Sequence, residues 1–265
     1  QRITTLISFV RDEFPVDEDS GLPEAGRYFR DLPEQSKLNV WRYPFVVEFV
    51  PQENVAIIND IFNRINKNVA KLSHQELRHA QFSGDFIATV EAMSDFLADQ
   101  LPDNFPRITK QSRRQMKDVE TAALLFVFLE NGERSTSQAD LDQYFADREE
   151  AWADRENLQQ EFQGAIRYIR ALTEAAHDLQ NTRLRNQAEF YSLFAAVVEL
   201  TRENQRPLAD DSAARLLPWA VNVTATPVDQ LAELDVQYVA AARAASNDPG
   251  PRRIRINRVK EVMLG

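Results

Sequence analysis

The side chains able to do chemistry fall into a few groups. Arg252, Arg253, Arg255, Arg258 and Lys260 alternate with Ile254, Ile256, Val259 and Val262 near the C-terminus. This is the one stretch where a local positive field can offset the net charge of -10 and hold several phosphates. It has no interleaved aromatic for base stacking, and the competing reading is a solvated helix face paired with its own acids. Gln75, Glu76 and Arg78 lie within one helical turn. Ser73 and Glu76 fit a capping box, which accounts for Glu76 and leaves Gln75 and Arg78 for ligand contact or for holding the local backbone. Arg64 and Asn66 sit where a helix predicted over 53–65 ends, so they can cap its carbonyls or turn to a neighbouring loop.

Metal chemistry has little to work with. The chain contains no cysteine and three histidines. His74 and His79 are five positions apart and so miss the i, i+4 spacing of a helical metal pair, and His177 is isolated. Zinc, haem and disulfides are therefore not expected, and the lack of cysteine fits a reducing, cytoplasmic compartment. Asp118 and Glu120 could carry Mg2+, but acids early in a helix also stabilise its dipole. No Walker loop and no Ser/His/Asp or Cys/His nucleophile set is present.

Helices must position these groups. Ile3, Leu6, Ile7, Val10 and Phe14 recur at helical spacing up to Pro15, and 15–37 reads as a surface excursion rich in acids, Pro and Gly. Residues 43–50, with Phe45, Val46, Val47 and Phe49, form the best strand candidate. Phe86, Val90, Met93 and Leu97 define a helix ending before Pro102. From Thr109 the chain turns almost wholly helical, with a basic entry at Lys110, Arg113 and Arg114, an apolar body to Leu129 and Gly132 as C-cap. Leu158, Phe162, Ala165, Ile169, Leu172, Ala176 and Leu179 step by four and three. Fewer than four heptads are present, so this seam predicts a helix packed within its own chain. Further helices are predicted over 190–200, 213–221 and 230–245.

At 265 residues, 43% hydrophobic and 27% charged, the composition is that of a globular protein with a sizeable core. The longest apolar run, 122–129, is less than half of the roughly 20 residues a membrane span needs. No membrane partner is expected. The acidic net charge also opposes nonspecific adsorption to nucleic acid.

Two blocks carry a family resemblance. The opening QRITTLISF matches the end of a D-G-Q-Q-R-[IL]-T-T-L signature, and F-N-R-I-N-x5-L-S-x-Q-E-L-R-x-A at 62–80 matches a second block of the same family. Together they resemble the N-terminal domain of GmrSD-type modification-dependent restriction endonucleases and related phosphorothioate-sensing defence proteins, a family with a ParB/sulfiredoxin-like fold. The sequence NQAEFYSLF at 186–194 looks like members that add a helical extension.

The resemblance implies a nucleotide-binding, NTP-hydrolysing component of a prokaryotic restriction or phage-defence system. Gln1, Arg2, Arg64 and Asn66 would meet a nucleoside triphosphate, with or without Mg2+, and Gln75 and Arg78 would support them. A guanidinium and an amide at a helix N-terminus do add charge-assisted donors where the dipole already favours phosphate. Arg2 and Arg64 would then share one anionic pocket. The family's Asp, Gly and first Gln precede Gln1, so the chain is expected to be a fragment, inactive by itself. Modified DNA, a second copy or another defence component would be its partners. The alternative is a non-enzymatic nucleic-acid or partner-binding module with a vestigial nucleotide site. The expected fold is mainly α with an α+β remnant: 1–108 as the C-terminal part of the ParB-like domain, its sheet completed by the strand at 43–50, and 109–265 as a helical bundle.

Overall fold

A computed structural model describes residues 2–44, 72–243 and 248–265 of the chain. Among the described residues the fold is mainly α, with twelve α-helices and no strand. The strand expected at 43–50 falls, apart from Tyr43 and Pro44, outside the described residues, as does the helix expected at 53–65. The chain divides into two compact units, Gln1–Ile65 and Asn66–Gly265.

In the first unit α1 (Arg2–Val10) ends before Asp12, whose φ of 60° lies in the left-handed region, and α2 spans Glu34–Trp41. Asp12 also accepts a hydrogen bond from the Arg30 backbone N–H at 2.8 Å. The Phe29 ring packs edge-on to Phe9 and to Trp41, each at 5.7 Å, and gathers the intervening excursion around a small aromatic core.

The second unit contains α3 (His74–Gln81), α4 (Asp85–Gln100), α5 (Lys110–Arg114), α6 (Lys117–Asn131) and α7 (Gln138–Ala146). It continues with α8 (Arg155–Ala175), α9 (Gln187–Arg202), α10 (Ala209–Ala225), α11 (Glu233–Arg243) and α12 (Pro249–Leu264). The apolar run at 122–129 lies in α6, which is buried on nearly every side and runs through the core. The seam from Leu158 to Leu172 is buried against α4, α6, α9 and α10, which accounts for its period without a second chain. Phe162 of that seam stacks on Phe126 at 5.0 Å and an interplanar angle of 7°.

The stretch entered at Thr109 is two helices. Thr109 caps α5 by accepting from the Ser112 N–H at 3.1 Å, and Met116, with φ 56°, breaks the path before α6. Neither Gly nor Pro marks this corner. Met116 packs against the core, and that contact offsets a left-handed conformation costing roughly 1–2 kcal/mol. At the other end of α6, Gly132 is the C-cap, with φ 69° and ψ -160°, a backbone region open essentially to glycine alone.

Candidate functional site

The second motif block builds a buried polar joint. Ser73 Oγ accepts from the Glu76 N–H at 3.1 Å, and the Glu76 carboxylate accepts from the Ser73 N–H at 2.7 Å, so the expected capping box starts α3. That cap fixes the helix so that Gln75 and Arg78 point inward; their relative exposures are 0% and 2%. Arg78 donates through Nε to Asp142 at 2.7 Å, through Nη1 to Gln75 Oε1 at 3.2 Å, and through Nη2 to the carbonyl and side chain of Gln138 at 3.0 and 2.6 Å. Nη1 also lies 3.7 Å from Glu120, which takes a closer bond from Lys117 at 2.8 Å. One guanidinium thus ties α3 to α6 and α7 and has its donors committed to the protein. Asp118 accepts from the neighbouring Val119 N–H at 3.0 Å. Asp118 and Glu120 are therefore separately engaged. Among the described residues no group of three or more His, Asp or Glu is gathered within metal-binding reach.

The C-terminal arginines are not a solvated phosphate patch. Arg252, Arg255 and Arg258 recur every third residue on α12, and that row turns toward α9, α10 and α11 together with Ile256, Val259 and Met263. Arg252 is buried, bonds the Arg134 carbonyl at 2.7 Å and stacks 4.4 Å over Tyr191. Arg255 is fully buried and donates to Ser192 Oγ at 3.0 Å and the Ala241 carbonyl at 2.6 Å. Burial pulls its pKa below the usual arginine value. Arg258 pairs with Asp235 at 2.8 Å and Glu261 at 3.2 Å. Burial opposes its charge, but these carboxylates hold its pKa above the ordinary value. Arg253, the most exposed of the four, pairs with Glu199 at 2.7 Å and lies 3.6 Å from Glu133. Acids far away in sequence pair with Arg253 and Arg258, while carbonyl and hydroxyl oxygens take up Arg252 and Arg255, so the run serves helix packing.

Within this contact lies a polar interior to which the motif NQAEFYSLF contributes Asn186, Glu189 and Ser192. The Glu189 carboxylate, 2% exposed, is bonded by the Arg183 guanidinium and by Asn186 Nδ2 at 2.8 Å. Asp235 accepts from Trp219 Nε1 at 2.8 Å as well as from Arg258. The Tyr238 ring lies 4.8 Å from Trp219, with Arg183 5.5 Å over its centre. The apolar spacing over 190–200 predicts a helix and gives no sign of this polar interior. The available signal was Glu189 and Ser192, a carboxylate and a hydroxyl on an otherwise apolar helix.

An open cleft of about 560 Å³ lies where the ends of α6 and α7 meet the start of α8, with Leu129, Leu158 and Trp152 in its wall and Asp147, Asp154 and Glu161 around it. Glu130 in its wall accepts from Trp152 Nε1 at 2.5 Å and from Arg148 Nε at 3.2 Å. Burial pushes its carboxyl upward, but bonds from Arg148, Tyr144 and Trp152 hold it below the usual glutamate value. Glu161 is bonded by Arg202 at 2.7 and 2.8 Å. Arg148 and Arg202 balance Glu130 and Glu161, which leaves Asp147 and Asp154 as the acidic excess, a field that favours cations over phosphate.

Of the residues expected at a nucleotide, Gln1, Arg64 and Asn66 lie outside the described residues. Arg2 opens α1 in the first unit. The expected approach of Arg2 to Arg64 therefore also falls outside them. Gln75 and Arg78 are brought together, whereas the C-terminal arginines form a separate cluster on α12. No family model matches the chain, and neither a curated protein nor a solved structure matches it.

Proposed function

We propose that the chain is the nucleotide-binding part of a prokaryotic DNA-modification-dependent restriction or phage-defence protein. Triphosphate contacts fall to Gln1, Arg2, Arg64 and Asn66, and Gln75 and Arg78 act as support. The roles of the first four rest on their motif positions. The observation that carries the reading is the construction of the second block: Ser73, Gln75, Glu76 and Arg78 are all used to fix α3, by a cap and a buried clamp. A motif whose polar residues lock a helix start gives the polypeptide entering it a rigid anchor, as a phosphate-binding turn requires.

Titration of the protein with ATP and GTP, with and without Mg2+, tests this directly. Arg64→Ala is expected to weaken binding by at least about tenfold, the scale of one lost charge-assisted contact, while leaving the melting temperature unchanged. Absence of nucleotide binding refutes the reading. So does an Arg64→Ala protein that binds normally but melts early.

One observation favours the second reading, a non-enzymatic partner-binding module with a vestigial nucleotide site. The open cleft is acidic, and the C-terminal arginines are engaged by the bundle's own groups, so this cleft suits a basic partner better than nucleic acid. Nucleotide binding without turnover would select it.

A further inference from the structure

The open cleft where α6 and α7 meet the start of α8 has a volume of about 560 Å³, inside the range of roughly 300–1,000 Å³ in which proteins hold ligands. Its charges are of two kinds. Glu130 and Glu161 are already served: Arg148 and Trp152 bond the first, and Arg202 takes the second through Nε and Nη2 at 2.7 and 2.8 Å. Arg148 is fixed in turn by the Tyr144 carbonyl at 3.0 Å and by its seat 3.4 Å over the Tyr144 ring. Asp147 and Asp154 are exposed, and among the described residues neither is paired with a cation. Asp147 accepts one bond, from the neutral Gln143 amide at 2.6 Å. Asp154 stands at the N-cap position of α8 but makes no capping bond, because its φ of -94° and ψ of 14° are not the extended backbone of a working cap. The helix end uses its charge alone, and its oxygens remain available.

We propose that this cleft docks an arginine side chain of a partner peptide, with its guanidinium taken by Asp147 and Asp154 and its stem against the apolar wall that includes Trp152 and Leu158. A half-apolar cleft with two uncommitted carboxylates suits a cation that carries an apolar stem. A guanidinium is weakly hydrated and presents five donors, so it can serve two carboxylates at once and leaves water more readily than an ammonium. A small metal ion needs its ligands gathered, and among the described residues no such group of acids is present. Asn157, also in the lining, offers an amide donor and acceptor to the peptide backbone. The inference takes its basic partner from the second reading above and does not depend on a nucleotide site; turnover of nucleotide decides that reading, and peptide binding decides the occupant of the cleft.

The test is calorimetric titration with a short blocked peptide of alternating glycine and arginine, beside the same peptide with citrulline, which keeps the shape and removes the charge. The arginine peptide is expected to bind and the citrulline peptide not. Asp147→Asn combined with Asp154→Asn should weaken binding roughly tenfold, the sum of two exposed charge contacts, without changing the melting temperature. Asp210→Asn combined with Asp211→Asn removes as much charge from exposed positions outside the cleft lining and should leave binding unchanged. Absence of binding overturns the proposal, and so does equal binding of the citrulline peptide. Equal weakening by the two double variants overturns it too, since overall charge would then be the attractor. Displacement of the peptide by an equal concentration of spermidine would give the cleft to a free polyamine and overturn the peptide as its occupant.

Discussion

Replacing Arg78 by methionine keeps an unbranched stem of similar length and removes the guanidinium alone. Four hydrogen bonds disappear, to Asp142, Gln75 and twice to Gln138, together with the 3.7 Å approach to Glu120. Their weights differ. The Asp142 side chain is 53% exposed, so water replaces Arg78 there at a cost of about 0–1 kcal/mol. Glu120, with 11% of its side chain exposed, and fully buried Gln75 have no such recourse. Removing one member of a buried ion pair costs about 3–5 kcal/mol. Lys117 remains on Glu120 at 2.8 Å, which puts the expected loss at the lower end, about 3 kcal/mol. In a body of this size that lowers the melting temperature by roughly 6–12 °C. Urea denaturation followed by far-ultraviolet circular dichroism measures it, and the denaturant slope should not change. Arg78→Met combined with Glu120→Gln should be more stable than Arg78→Met alone, because the stranded charge is gone. A single variant within about 1 kcal/mol of the parent, a difference typical of one ordinary hydrogen bond, refutes the buried-clamp argument. A double variant no better than the single refutes it too.

Two further outcomes follow from the packing. The Glu133 side chain is 6% exposed, has one oxygen without a partner, and lies 3.6 Å from an Arg253 that Glu199 holds more closely at 2.7 Å. Burial raises its pKa above the ordinary 4.5 in spite of Arg253 and Arg252, so the folded state holds this proton more tightly than the unfolded chain. Stability from this group is therefore full below 4.5 and lost as pH rises through the raised folded value. Glu133→Gln should stabilise the protein by about 1 kcal/mol at pH 7.5 and have no effect at low pH, as melting curves at the two pH values will show. A lower melting temperature at pH 7.5 would contradict this. Gly84→Ala and Gly164→Ala should have opposite signs: a β-carbon at Gly84 would meet the Glu149 carbonyl oxygen at 2.2 Å, whereas at Gly164 in α8 it meets nothing within 4 Å. The first clash also displaces the carboxylate that caps α4 through the Ser83 and Gly84 N–H groups at 2.9 and 3.1 Å, for a loss of roughly 2–4 kcal/mol. The second substitution should gain about 0.5–1 kcal/mol, and a loss at Gly164 would show that α8 is packed more tightly there than its geometry indicates.

Read alone, the sequence was enough for the features whose causes lie within a few residues. The spacing of Phe86, Val90, Met93 and Leu97 marks α4, and the four-and-three steps from Leu158 mark α8 and its buried face. Ser73 with Glu76 marks the start of α3, and Gly132 the end of α6. Periodicity and capping are local because a helical hydrogen bond and a cap span three or four positions. What tertiary structure decided involves distant partners. Arg78 finds Gln138 and Asp142 sixty and sixty-four residues away, and Glu149 caps a helix that begins sixty-four residues before it. The arginines of α12 look in sequence like a phosphate-binding run. They become interior struts because Glu199, Ser192 and Asp235 lie on the helices packed against them. The corner at Met116 likewise carries no local breaker and is held by the core it touches. A charged side chain's role depends on whether a countercharge stands within a few ångströms when the chain is folded, and that distance is set by packing, not by position along the chain.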